Sequence, residues 1–342
     1  MERPKPKVFI FGWPSFVGGA DTKLHHLMML LHEDCDITLV PSHPRQLHQR
    51  LWTSLMEKLG VKYCRMEDLP PKLEGVALGL CNPRFFKGGI AHRAKEMGLK
   101  IVWSSEMMWH FEGEHEAVKD GIIDHFLYVS EFQREALLGG SGGIPGTITG
   151  NYIDPGLFPV KQRDPRRMVI GRLSRPDPDK FPEDFPVFYE CLELRNARFR
   201  VMAWSPKLAE KYRWHHFDDR WDLLRQKQEP QEEFLQSLDL FMYPLGHRFR
   251  ESWGRATVEA MLTGCIPFVP KGHFFDSLIV HGKSGFICGD FLEYQENARM
   301  LAEDPKLRRE MSMACRHHAE KELCDRQRHR ELWLNVFRSQ EN

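Results

Sequence analysis

The stretch NYIDPGLFPVKQRDPRRMVIGR, residues 151–172, decides how this chain is divided. Residues 151–165 carry three prolines, a glycine and mixed charge, the composition of a linker. Residues 168–172 (MVIGR) then read as a new buried strand. Upstream, short apolar runs alternate with helical periodicity. Strands are expected at 7–12 (KVFIFG), 36–40 (DITLV), 61–64, 76–80, 100–103 and 125–129. Helices are expected at 21–32, through Leu24, Leu27, Met28 and Leu31, and at 46–59 and 90–97. Downstream the same alternation restarts, with helices at 183–195, 232–237 and 254–263. Strands fall between them at 198–203, 240–243 and 266–269, and a charged helical tail runs from 291 to 338. Strands alternating with helices build parallel sheets covered on both faces. The fold class is therefore α/β, with two Rossmann-like domains facing each other across a cleft. The boundaries read as 1–158, 159–320 and a C-terminal helix at 321–342 that packs back on the first domain. Ligands of such sheets bind beyond the carboxyl ends of the strands.

Bulk composition narrows the class further. A chain of 342 residues accommodates two ordinary domains, and its 42% hydrophobic content supplies cores for both. Lys plus Arg and Asp plus Glu number 48 each, so the formal net charge is zero. That balance removes the simplest electrostatic argument for a nucleic-acid partner. The eight cysteines form no C-x-x-C pair and no zinc-finger spacing. The N-terminal MERPKPKVFIFGWP has too short an apolar run for a signal peptide, and no apolar stretch approaches membrane-spanning length. A cytoplasmic location with free thiols is expected.

The chemistry concentrates in residues 251–269, ESWGRATVEAMLTGCIPFV. Gly254 lets the backbone approach a ligand closely. The helix starting there aims backbone N–H groups and the positive end of its dipole at a bound anion, which suits a diphosphate. Glu251 precedes the helix and Glu259 lies on its second turn. Two carboxylates so placed can accept hydrogen bonds from hydroxyls at the two ends of a nucleotide sugar. An amphipathic helix with Val258, Met261 and Leu262 facing a core and Glu259 solvated gives the same periodicity.

With these residues in place the chain resembles the retaining GT-B glycosyltransferases of family four. Their hallmark is two glutamates separated by seven residues, then Ala-Met and a Gly-x-Pro strand. Here these are Glu251, Glu259, Ala260-Met261 and Gly264-Cys265-Ile266-Pro267. The resemblance implies that Glu259 holds the donor ribose and that Glu251 contacts the transferred sugar, with the backbone of Ser252, Trp253 and Gly254 against sugar and phosphate. Residues 168–180 (MVIGRLSRPDPDK) resemble the family's Gly-Arg-Leu strand end followed by a lysine. This implies that Arg172 and Lys180 grip the donor diphosphate, with Arg175 sharing the role because the lysine comes late and Phe181 stands where a glycine is usual. Residues 16–24 (FVGGADTKL) resemble the family's first glycine loop, which assigns Gly18 and Gly19 to the donor and acceptor side. The matches run from residue 7 to about residue 290.

Two segments depart from the family. At 101–106 (IVWSSE) no histidine stands at the usual strand end, which leaves Glu106 or His110 as candidates on the sugar and acceptor side. Residues 199–206 (FRVMAWSP) lack the usual glycine-rich turn, which places Trp204 near the nucleotide base. The resemblance implies a retaining, metal-independent hexosyl transfer from a UDP- or GDP-sugar to a hydroxyl, with no cofactor beyond that co-substrate. The acceptor stays open among a glycan, a lipid-linked sugar, a small molecule and modified nucleic acid. A GT-B epimerase or phosphorylase, and a silent nucleotide-sugar-binding module, are the alternatives.

Overall fold

The computed structural model describes residues 4–16 and 19–341. Two compact units emerge, Met1–Asp154 with Asp325–Asn342, and Pro155–Cys324. The first holds strands β1 (Lys7–Phe11), β2 (Asp36–Val40), β3 (Lys62–Tyr63), β4 (Val76–Leu80), β5 (Lys100–Ser104), β6 (His125–Tyr128) and β7 (Gly146–Ile148). They form one parallel sheet in the order β3-β2-β1-β4-β5-β6-β7. The second holds β8 (Met168–Leu173), β9 (Ala197–Met202), β10 (Trp221–Leu224), β11 (Leu240–Met242), β12 (Ile266–Pro270) and β13 (Phe286–Cys288). Its order is β10-β9-β8-β11-β12-β13, again parallel throughout. In each sheet the strand order reverses once, between β1 and β4 and between β8 and β11.

The apolar runs become central strands because both sheet faces are covered. Val76, Ala77 and Leu78 of β4 have no measurable exposure, nor do Leu240, Phe241 and Met242 of β11. Alternation is absent where both faces are buried, as it should be in a parallel sheet. The helix Gly19–Leu31 lays Leu24, Leu27, Met28 and Leu31 into the first core. The C-terminal helix Arg326–Ser339 joins that core through Trp333, Leu334, Val336 and Phe337. Its outer edge is fixed by Arg330, which donates to both carboxylate oxygens of Asp34.

Several expected elements come out shorter. The helix expected over 183–195 is confined to Phe185–Glu190, because Glu193 (φ 54°) and Asn196 (φ 60°) adopt left-handed conformations that a helix cannot continue through. The charged tail is three helices, Phe291–Glu303, Pro305–His318 and Arg326–Ser339, with a wide π turn at Ala319–Leu323. Residues 155–158, expected to close the first domain, belong to the second unit, where Arg316 bonds the carbonyls of Phe158 and Pro155. Among the described residues no helix is long and apolar enough to cross a membrane, and all eight cysteines are free thiols.

Candidate functional site

In the second unit the loops leaving β8 and β11 carry the polar side chains that matter. These two strands flank the point where the sheet order reverses, the usual ligand position in open α/β sheets. The loop after β8 ends in a short 3-10 turn, Pro178–Lys180, initiated by the Asp177 side chain accepting from Asp179 N. That turn sends the Lys180 side chain inward, where only 6% of the residue stays exposed. Its Nζ donates to Glu251 Oε2 at 3.1 Å and to the Tyr243 hydroxyl at 3.3 Å. Tyr243, the residue after β11, donates in turn to Glu251 Oε2 at 3.1 Å. The Phe249 ring lies 4.4 Å from the ammonium.

This triangle sets the electrostatics. Burial works against the Lys180 charge, but the Glu251 carboxylate and Tyr243 oxygen more than offset it and hold the ammonium above the usual lysine value. Burial raises the Tyr243 phenol despite the nearby Lys180 charge, so it stays a neutral donor. Glu251 and Lys180 keep 13% and 8% side-chain exposure, so the pair is largely buried but not sealed from solvent.

Arg172 lies near the end of β8. It is wholly buried, with Nη1 donating to Pro244 O at 2.8 Å and Nη2 to Lys180 O at 3.2 Å. Its guanidinium lies 4.0 Å from the Phe181 ring and 4.5 Å from the Tyr243 ring. Through these two bonds Arg172 ties the carbonyl of Lys180 to the strand end before Glu251. Phe181, the residue replacing the usual glycine, is one of the two rings against that guanidinium. Arg175 is exposed on the same loop, where its charge acts on Lys180.

The helix Arg255–Leu262 starts at Gly254, whose φ of 87° and ψ of 46° suit glycine, and no side chain caps it. A Cβ there would come within 2.6 Å of the Phe275 ring. Ser252 is half-buried and Trp253 is 5% exposed. Glu259 is only 3% exposed; its Oε1 accepts from Arg255 Nε at 2.8 Å and its Oε2 accepts from Gln231 Nε2. Burial raises its carboxyl above the ordinary value, against the opposing pull of Arg255 and Gln231. The solvated Glu259 of a plain amphipathic helix is therefore not what forms. Trp204 packs against Tyr212 (5.9 Å) and Phe217 (5.3 Å) at the edge of the second core.

In the first unit, Gly18 lies outside the described residues. Gly19 opens the helix Gly19–Leu31, and a Cβ on it would meet nothing within 4 Å. Glu106 follows β5 and accepts from Lys23 Nζ at 2.7 Å and from Asn151 Nδ2 at 3.1 Å. Lys23 is 1% exposed, and its Nζ also reaches Ser104 Oγ at 3.4 Å. His110 sits in a different cluster, its Nδ1 2.7 Å from Glu114 Oε1 and its ring 4.5 Å from that of His115. The two candidates for the missing histidine have different partners, Lys23 and Asn151 for Glu106 and Glu114 for His110.

The sequence reading passed over Tyr243, Lys23, Gln231 and Arg255. Two left a signal: Tyr243 is a polar-tipped aromatic ending an apolar strand before Pro244, and Lys23 lies four residues before Leu27 on the apolar stripe of its helix. Gln231 left none, since its partner is 28 residues away.

No family model matches the chain, and no curated protein sequence matches it. Solved structures do. HepE of Anabaena in complex with UDP-glucose superposes with a TM-score of 0.76 at 14% identity, over 98% of this chain and 100% of that one. A glycosyltransferase from Rickettsia africae ESF-5 gives 0.72 at 10% identity, over 98% and 99%. Sucrose-phosphate synthase from Thermosynechococcus elongatus gives 0.68 at 11% identity, over 98% and 99%. The chain has the GT-B fold. At such identities the likeness concerns the fold, and the activity rests on the residues.

Proposed function

We propose that this protein is a retaining glycosyltransferase that moves a hexose-type sugar from a UDP- or GDP-sugar to a hydroxyl acceptor. The observation that carries this reading is the Lys180–Tyr243–Glu251 triangle beside the uncapped helix start at Gly254, at the strand-order reversal of the second sheet. A buried ammonium bonded to Glu251, and a helix that starts just after Glu251 in the chain, supply positive potential for a diphosphate. A carboxylate oriented by two donors is positioned for the hydroxyls of the attached sugar. As the anomeric bond loosens, negative charge grows on the departing phosphate, and Lys180 is the cationic side chain nearest Glu251 to stabilise it. The acceptor hydroxyl attacks from the face the nucleotide leaves, and its proton passes to the leaving phosphate. Arg175 adds charge from the loop. Arg172 acts indirectly, by holding the Lys180 turn.

Metal independence belongs to the same reading, in which Lys180 and the helix start supply the positive charge for the diphosphate. Turnover persisting in excess EDTA is the expected result. The donor is supported by the UDP-glucose bound to HepE, which shares the fold. The reading is tested by incubating the protein with a panel of UDP- and GDP-sugars and hydroxyl acceptors. Release of nucleoside diphosphate together with a product of unchanged anomeric configuration is expected. In Glu251→Gln, kcat should fall by about 100-fold or more while the protein stays folded. Unchanged turnover in that variant would remove the site assignment. An epimerase would instead return a rearranged nucleotide sugar or free sugar without transfer.

A further inference from the structure

The hydrogen-bonding capacity of Glu259 is half used. A carboxylate offers about four lone-pair directions, two on each oxygen. One on Oε1 is taken by Arg255 Nε at 2.8 Å, one helical turn earlier. One on Oε2 is taken by Gln231 Nε2, from the first residue of the helix Gln231–Gln236. The two donors come from different helices and each holds one oxygen of the carboxylate. What remains is one acceptor direction on each oxygen.

Arg255 shows the complementary surplus. A guanidinium carries five N–H donors, and only Nε is engaged. Nη1 and Nη2 are both buried and have no partner. Buried donors left unpaired are uncommon and costly, and such groups call for a reason. The site therefore combines two spare acceptor directions with two spare donor groups, all beside one carboxylate. A pair of adjacent hydroxyls fits that inventory, since each hydroxyl both donates and accepts. Each would donate a hydrogen bond to one carboxylate oxygen and accept one from the guanidinium.

On this basis we propose that Gln231 and Arg255 are positioning residues that orient Glu259 to select a ribonucleotide over a 2′-deoxyribonucleotide. The inference rests on the nucleotide-sugar reading above, together with the ribose role that the family resemblance implies for Glu259. Gln231 fixes which way the carboxylate turns. Without it, Oε2 is free to rotate toward Arg255 and satisfy the spare guanidinium donors itself. The paired acceptor directions are then lost, although a carboxylate is still present. A clamp that merely stabilises the two helices would affect every nucleotide equally.

The experiment compares binding of UDP with 2′-deoxy-UDP, and of GDP with 2′-deoxy-GDP, by calorimetry. The wild type is compared with Gln231→Leu, which keeps the side-chain size, and with Arg255→Lys. The wild-type protein should prefer the ribo form of its own base by roughly 10- to 100-fold, the effect of one hydrogen bond to a charged group. Gln231→Leu should shrink that ratio to a few-fold by weakening the ribo form, with the 2′-deoxy form changed by less than about 2-fold. Arg255→Lys should shrink it as well, which keeps the test decisive if the leucine variant does not fold. A ratio that stays at the wild-type value in both variants, whether affinities hold or fall together, overturns the inference and leaves a structural clamp. If the wild type binds none of the four nucleotides, the donor reading fails and this inference with it. If it binds them without preferring ribose, only the inference fails.

Discussion

Arg172 and Lys180 show how two cations eight residues apart take different work. Arg172 has a planar fork that meets two carbonyls at once and stacks between Phe181 and Tyr243. A lysine has neither the fork nor the face for that position. Arg172→Lys should therefore lower stability by about 2–3 kcal/mol, through one lost charged hydrogen bond and the lost stacking. Chemical denaturation reads the loss, and calorimetry of the folded variant should give nearly wild-type nucleotide affinity. The reverse pattern, full stability with weakened nucleotide binding, would return Arg172 to the phosphate. The family resemblance picked out both residues, because a strand end and the loop after it are local features. It did not separate them, because burial depends on Pro244 and Tyr243, which arrive from another strand.

At the scale of elements, the end of β9 is instructive. The expected glycine-rich turn is missing from residues 199–206, yet the chain still turns there. Ala203 makes the turn at φ 83°, fully inside the core at 2% exposure, and Trp204 N follows with a bond to Leu224 O at 2.7 Å. A side chain in the left-handed region costs about 1–2 kcal/mol, partly offset by the greater unfolded-state freedom of glycine. Ala203→Gly should thus raise stability by roughly 0.5–1 kcal/mol, visible as a higher thermal midpoint. A lower midpoint would mean that the alanine methyl packs for more than its strain. The strands missed from sequence were β7, β10 and β13, all near or at sheet edges and short. β4, β8 and β12 were legible because central strands buried on both faces read as continuous apolar runs.

Over the whole molecule the chain returns to its first unit with the helix Arg326–Ser339. Trp333 is fully buried there, its ring 5.6 Å from Phe337 and 5.6 Å from the Lys23 ammonium. The Arg330–Asp34 pair closes the edge. The hydrogen bonds from Arg330, ahead of the opposing effect of burial, hold the Asp34 carboxyl below the usual carboxylate value. A depressed value means the folded state resists protonation. The contribution of this pair is fully present above the ordinary value of 3.8 and is lost as pH falls through the lower folded-state value. Hydrogen exchange in the Arg326–Ser339 helix should accelerate in acid in the wild type. In Asp34→Asn it should already be faster at neutral pH, with a weaker acid response from this site. Equal acid responses in both proteins would show that the pair does not hold the helix.

Taken by itself, the sequence determined the alternation of strands and helices, the break near residues 151–165, and the glutamates at 251 and 259. These follow from periodicity, proline content and spacing, all properties of near neighbours. Only the tertiary structure decided which charges face inward. It paired Lys180 with Glu251 across 71 residues, Glu106 with Lys23 across 83, and Glu259 with Gln231 across 28. Burial makes a charge depend on the donors and acceptors that long-range packing brings to it, and no local pattern records which ones will arrive.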